Sequence, residues 1–132
     1  MMNNDSLEKK NHYNLLYGYY QGLFTEKQRA IFDSYYGEDY SLSEIADIFE
    51  ISRNAVWDAL KKMHQKLEEY ENILHLVENN QKLETYLLEL EQHTNEKGKL
   101  IINKIREMEW FHAFWKFNRT NSNVIKTFNR PW

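Results

Sequence analysis

The side chains best placed to do chemistry fall in one stretch, Leu42 to Lys62, which reads LSEIADIFEISRNAVWDALKK. Within it Arg53, Asn54, Trp57, Asp58 and Lys61 recur at helical spacing and share an outward face. An arginine there can hold guanine, and an asparagine adenine, each by a pair of hydrogen bonds to the base edge. Ser41, Ser43, Ser52 and Lys62 stand where phosphate contacts come from in a helix-turn-helix. The expected nucleic-acid surface is therefore Ser41, Ser43, Ser52, Arg53, Asn54, Trp57, Lys61 and Lys62. Asp58, repelled by phosphate, and the bulky Trp57 oppose close groove contact. The alternative is a trihelical module whose second helix is a packing or partner surface.

Other chemistry finds no foothold. Cysteine is absent, which removes disulfides, thiolate catalysis and Cys-based zinc sites. Five histidines, at 12, 64, 75, 93 and 112, never pair at i, i+3 or i+4. No nucleophile elbow, phosphate-binding glycine loop or H-E-x-x-H motif occurs. Glu68-Glu69 and Glu107/Glu109 are close in sequence, but such neighbours on a helix do not converge on a substrate. The expectation is a non-enzyme with no cofactor, no metal and no small-molecule substrate.

The elements that would position the reading face are helical. Four Gly and one Pro in 132 residues argue for long helices over a sheet with many turns. Leu16, Tyr19, Tyr20 and Leu23 line one stripe of a helix over Leu7–Leu23, widened by Tyr13 and Tyr17. Thr25 with Gln28, and Ser41 with Glu44, have the spacing of capping boxes, and Ser52 is a third cap. Between them Ile31, Phe32 and Tyr35 face inward, and Gly37 ends the helix. Leu42, Ile45, Ala46 and Phe49, then Ala55, Val56 and Leu60, give two short helices around a tight turn. The turn position that commonly holds glycine is Glu50, so a positive φ there carries strain of about 1 kcal/mol.

Beyond the turn, Val56, Leu60, Met63, Leu67, Tyr70, Leu74 and Val77 step by alternating intervals of four and three residues. That heptad seam either packs on the Leu7–Leu23 helix or pairs with a second copy. A homodimer through Met63, Leu67, Tyr70, Leu74 and Val77 is the expectation adopted. Asn79-Asn80-Gln81 interrupts the seam, and Leu83, Leu87 and Leu90 resume it in a shifted register. The expected organisation is a flexible start over 1–10, a helix-turn-helix domain with a long helix over 11–93, a linker over 94–98 and a basic aromatic extension over 99–132.

Charge divides the chain. Residues 1–96 hold nine Lys/Arg against eighteen Asp/Glu, whereas residues 97–132 hold eight against two. An acidic body and a basic tail imply different partners, or a tail folded back on the body. In the tail, Trp110, Phe111, Phe114 and Trp115 could stack on bases, sink among lipid headgroups or cover the apolar back of the long helix. No apolar run is long enough to span a bilayer and the polar N-terminus lacks a signal-peptide core, so the expected location is the cytoplasm, with any membrane contact left to the tail.

The stretch from about Asn11 to Leu90 resembles the YlxM-like helix-turn-helix proteins associated with the signal recognition particle. The likeness rests on LFTEKQ at 23–28, Tyr35-Tyr36 before an acidic turn, YSLSEIA at 40–46 and SRNAV at 52–56. The helix-turn-helix alone is also similar to the promoter-reading domain of sigma factors, their region 4. The resemblance implies an all-α, non-enzymatic regulator of the signal recognition particle pathway that binds DNA, with the particle's protein or RNA as further partners. The second expectation is an adaptor whose acidic helical body docks a basic protein of that particle.

Overall fold

The computed structural model describes residues 4–108, which are all-α. The chain divides into two compact units, residues 1–74 and residues 75–132.

The first unit starts with α1 (Asn4–Tyr20), followed by a 3-10 turn over Gln21–Leu23. Then come α2 (Glu26–Tyr36), α3 (Leu42–Phe49) and α4 (Arg53–Leu74). Both expected capping boxes are present: Thr25 with Gln28 opens α2, and Ser41 with Glu44 opens α3. Each pair satisfies two backbone N–H groups that a helix start otherwise leaves open. Gly37 caps α2 in an ordinary right-handed conformation, and the left-handed residue of that loop is Asp39, with φ of 57°.

The core of this unit is aromatic. Tyr17 stacks on Phe32 with ring centroids 3.9 Å apart, and Phe32 stacks on Tyr36 at 4.2 Å. Leu15, Leu16, Tyr20, Phe24 and Ile31 are buried with them. Burial pushes the Tyr17 and Tyr36 hydroxyls above their ordinary pKa, so both stay neutral. Leu23, expected on the inner stripe, is exposed instead, because the 3-10 turn rotates it outward and Phe24 takes the inner place.

Helix α4 packs on all three preceding helices. Val56, Leu60, Met63 and Leu67 are buried at 1% exposure or less. Tyr70 sits edge-on to Phe24 and near Tyr20, at 5.8 Å from each. Met63 and Leu67, expected to face a second copy, are therefore covered within the unit. Only at Ile73 and Leu74 does the end of α4 expose its apolar side.

The second unit has α5 (Leu76–His93) and α6 (Glu96–Arg106), joined by Thr94 and Asn95. They form a hairpin closed by Leu87 and Ile102, with Leu83 and Ile105 packed against that pair. Arg106 donates to Glu84, 3.1 Å away, and to Glu91. This half-buried bridge joins the end of α6 to the length of α5. Two boundaries differ from expectation. The long helix, expected within a domain reaching residue 93, breaks at His75 (φ of 53°), while Asn79–Gln81, expected only to interrupt the apolar seam, lie inside α5 with Asn80 buried. The expected linker over 94–98 shrinks to two residues: the Asn95 side chain accepts from the Gly98 N–H, so Gly98 already belongs to the first turn of α6. A Cβ at Gly98 would lie 1.9 Å from Thr94 Oγ1, which is why glycine stands inside a helix there.

Candidate nucleic-acid interface

The turn between α3 and α4 is built from backbone bonds and one strained residue. Glu50 closes α3 in the left-handed region, with φ of 55° and ψ of 44°, and its N–H donates to the Ala46 carbonyl. The Ile51 N–H reaches the same carbonyl at 3.1 Å. Ser52 then opens α4, its hydroxyl oxygen accepting from the Ala55 N–H at 3.0 Å. Ile45 and Ala46 on α3 are buried, as are Val56 and Leu60 on α4. That contact fixes the crossing of the two helices, and the outer side of α4 is what remains to meet a partner.

All eight expected contact residues are exposed at this end of the unit. Asn54, Trp57 and Lys61 share the middle of the outward face with Asp58, Arg53 borders the buried side, and Lys62 stands ~100° further round than Lys61. Ser41 and Ser52 use their hydroxyl oxygens as cap acceptors, toward the Glu44 and Ala55 N–H groups. Their O–H protons are left to donate, as a phosphate contact requires. Ser43 lies exposed in the first turn of α3. Lys61 is 3.7 Å from Asp58, an exposed pair that screens part of its charge from an approaching anion.

Trp57 is more organised than its spacing suggested. It is 40% exposed, and its inner edge meets the His64 ring, two turns on, at 6.4 Å in a T-shaped contact. His64 in turn stacks on Tyr13 at 4.0 Å and shares a 2.6 Å hydrogen bond between its Nε2 and the Tyr36 hydroxyl. Burial holds His64 down at about 4, helped by His12 and opposed by Glu68, so it is neutral at pH 7. Sequence reasoning missed this support because Tyr13 and Tyr36 come from other helices; the i, i+7 spacing of Trp57 and His64 was its only trace. It also missed Ile48, which is 57% exposed on α3 beside the turn.

The field around the face is mixed. Glu44, Asp47, Glu50 and Asp58 are exposed on α3, the turn and the start of α4, against Arg53, Lys61 and Lys62. Trp110, Phe111, Phe114 and Trp115, the expected contact residues of the tail, lie outside the described residues.

A short helix and a long one locked around a capped turn, with an exposed polar face at the start of the second, define an all-α helix-turn-helix protein. The chain belongs to the UPF0122 family, described as "Putative helix-turn-helix protein, YlxM / p13 like", which matches residues 7–108. It is 44% identical over 91 residues to a UPF0122 protein of Listeria welshimeri, covering 69% of this chain and 83% of that one. A UPF0122 protein of Bacillus thuringiensis is 38% identical over 109 residues, covering 78% of this chain and 99% of the relative. A Bacillus cereus relative gives the same figures, 38% over 109 residues.

Proposed function

We propose that this protein is a non-enzymatic regulator in the cytoplasm that binds nucleic acid through the outward face of α4, within the signal recognition particle pathway that its family resemblance implies. The observation that carries the reading is the exposed run of Arg53, Asn54, Trp57 and Lys61 on a helix whose opposite side is anchored by Val56 and Leu60. In this reading Arg53 donates twice to a guanine edge, Asn54 both donates to and accepts from an adenine edge, and the hydroxyls of Ser41, Ser43 and Ser52 with Lys62 contact the backbone. The test is fluorescence anisotropy of the full chain with duplex DNA libraries and with the particle's RNA, at two salt concentrations. Arg53→Ala is expected to weaken the preferred sequence about tenfold, and random duplex much less. Equal loss on both would sink base readout by Arg53.

A second reading is favoured by the acidic balance of residues 1–96, eighteen Asp/Glu against nine Lys/Arg. Here the body is an adaptor that docks a basic protein of the particle, through carboxylates such as Glu68 and Glu69 on α4. Reversing Glu68 and Glu69 to Lys would then abolish capture of that protein, and Arg53→Ala would leave it unchanged. Steep weakening of nucleic-acid binding with salt, dependent on Arg53 and Lys61, belongs only to the first reading.

A further inference from the structure

Helix α6 buries one side against α5 through Ile102 and Ile105. Its opposite side carries Lys97, Leu100, Ile101 and Lys104, at i, i+3, i+4 and i+7. Leu100 is 63% exposed and Ile101 is 53% exposed, an aliphatic pair facing solvent with nothing described covering it. Lys97 and Lys104 bracket the pair, both exposed and neither in an ion pair with a described residue. Met108, 47% exposed, follows just past the helix end. Charge accompanies this strip along the chain, since residues 97–132 hold eight Lys/Arg against two Asp/Glu.

Four occupants can be weighed by their chemistry. A second copy meeting this strip about a two-fold axis would bring lysines against lysines. Residues 109–132 hold Lys116, Arg119, Lys126 and Arg130 against Glu109, so they carry the same sign as the strip. Nucleic acid matches the charge but gains little from Leu100 and Ile101, because bases stack on aromatic rings and guanidinium planes, not on aliphatic chains. An anionic bilayer surface matches both halves: acyl chains accept the aliphatic pair, while lysines at its margins meet the headgroup charge.

We propose that the Lys97–Leu100–Ile101–Lys104 face of α6 is a docking surface for an anionic lipid membrane, on which the helix lies flat in the headgroup layer. This goes beyond the nucleic-acid reading and is independent of the α4 face.

The test is co-sedimentation of the full chain with vesicles of phosphatidylcholine alone, and of phosphatidylcholine mixed with phosphatidylglycerol. Binding is expected only to the mixed vesicles and should weaken as salt is raised. Changing Leu100 and Ile101 together to Ser, and separately Lys97 and Lys104 together to Glu, should each lower the partition coefficient at least about tenfold. These side chains are exposed, so both variants should keep the circular dichroism of the parent, and the two chemistries check each other if one does not. Equal partitioning of both variants and the parent overturns the proposal, as does equal binding to neutral vesicles. So does a parent that ignores vesicles while binding RNA in a manner sensitive to the lysine change. Arg53→Ala should leave vesicle binding intact, which separates failure here from failure of the α4 reading.

Discussion

In residues 4–74 most of the large apolar side chains turn inward: Tyr17, Tyr20, Phe24, Phe32, Leu60 and Leu67 are buried, while Ile48, Trp57 and Ile73 are among the few left exposed. In residues 75–108 the proportions reverse. One small cluster around Leu87 and Ile102 is closed, while Tyr86, Leu88, Leu90, Leu100 and Ile101 stay exposed. The first unit thus carries a core of its own and offers polar groups to a partner. The second holds its helices with a few aliphatic contacts and the Arg106 bridge, and offers apolar groups. Contiguous exposed apolar surface marks contact sites more reliably than scattered exposure does. The two proposed faces therefore call for partners of different chemistry.

The contrast can be broken most directly by emptying each core. Phe32→Ala is expected to cost about 3–5 kcal/mol, because the ring is sandwiched between Tyr17 and Tyr36 and the cavity cannot collapse easily. Ile102→Ala should cost less, about 2–3 kcal/mol, since its neighbours are few and can close in. Amide exchange reads both: the first variant should speed exchange across α1 to α4, the second across α5 and α6. Indistinguishable exchange patterns would mean that the chain has one core and not two.

Acid provides a milder probe. His64 has its pKa at about 4 in the fold against an ordinary 6.5. The unfolded chain therefore takes up the proton first, and the stability held by neutral His64 is full above pH 6.5 and lost as pH falls toward 4. Melting temperature should drop over that window, and His64→Gln, which can still hydrogen-bond Tyr36 but does not titrate, should flatten the drop. An unchanged slope would remove His64 from the account. The smallest effect is expected at the turn. Glu50→Gly should raise stability by ~1 kcal/mol, seen as a higher urea midpoint, because glycine takes the left-handed conformation without a Cβ clash.

Much of the first unit was legible in the sequence because its signals are local. Thr25 with Gln28, Ser41 with Glu44, and Ser52 are side chains that bond their own helix starts, so spacing alone reveals them. The strained Glu50 was legible for the same reason, as a side chain standing where a turn calls for none. The break at His75 was not legible: no glycine or proline marks it, and the four-three rhythm of apolar residues runs through it to Val77. Periodicity records which residues want burial and is silent on which helix will cover them. Hence Met63 and Leu67 read equally well as an internal seam or a dimer seam until α1 was seen lying over α4. The reading face was found in its members, but the ring cluster behind Trp57 depends on tertiary contacts that no spacing encodes.

The short connector between α5 and α6 has a consequence for anyone surveying substitutions in this chain. Gly98 lies inside α6 and does not take a positive φ. Alanine, the residue that most favours helices, should therefore be among the poorly tolerated replacements at this one position, owing to the width of the Thr94 side chain. A tolerance map would flag Gly98, and a paired change of Thr94 to Gly, which removes the hydroxyl that a Cβ would meet, would clear the flag. Intolerance at that point measures the clearance of a hinge pin, and says nothing of what the protein holds.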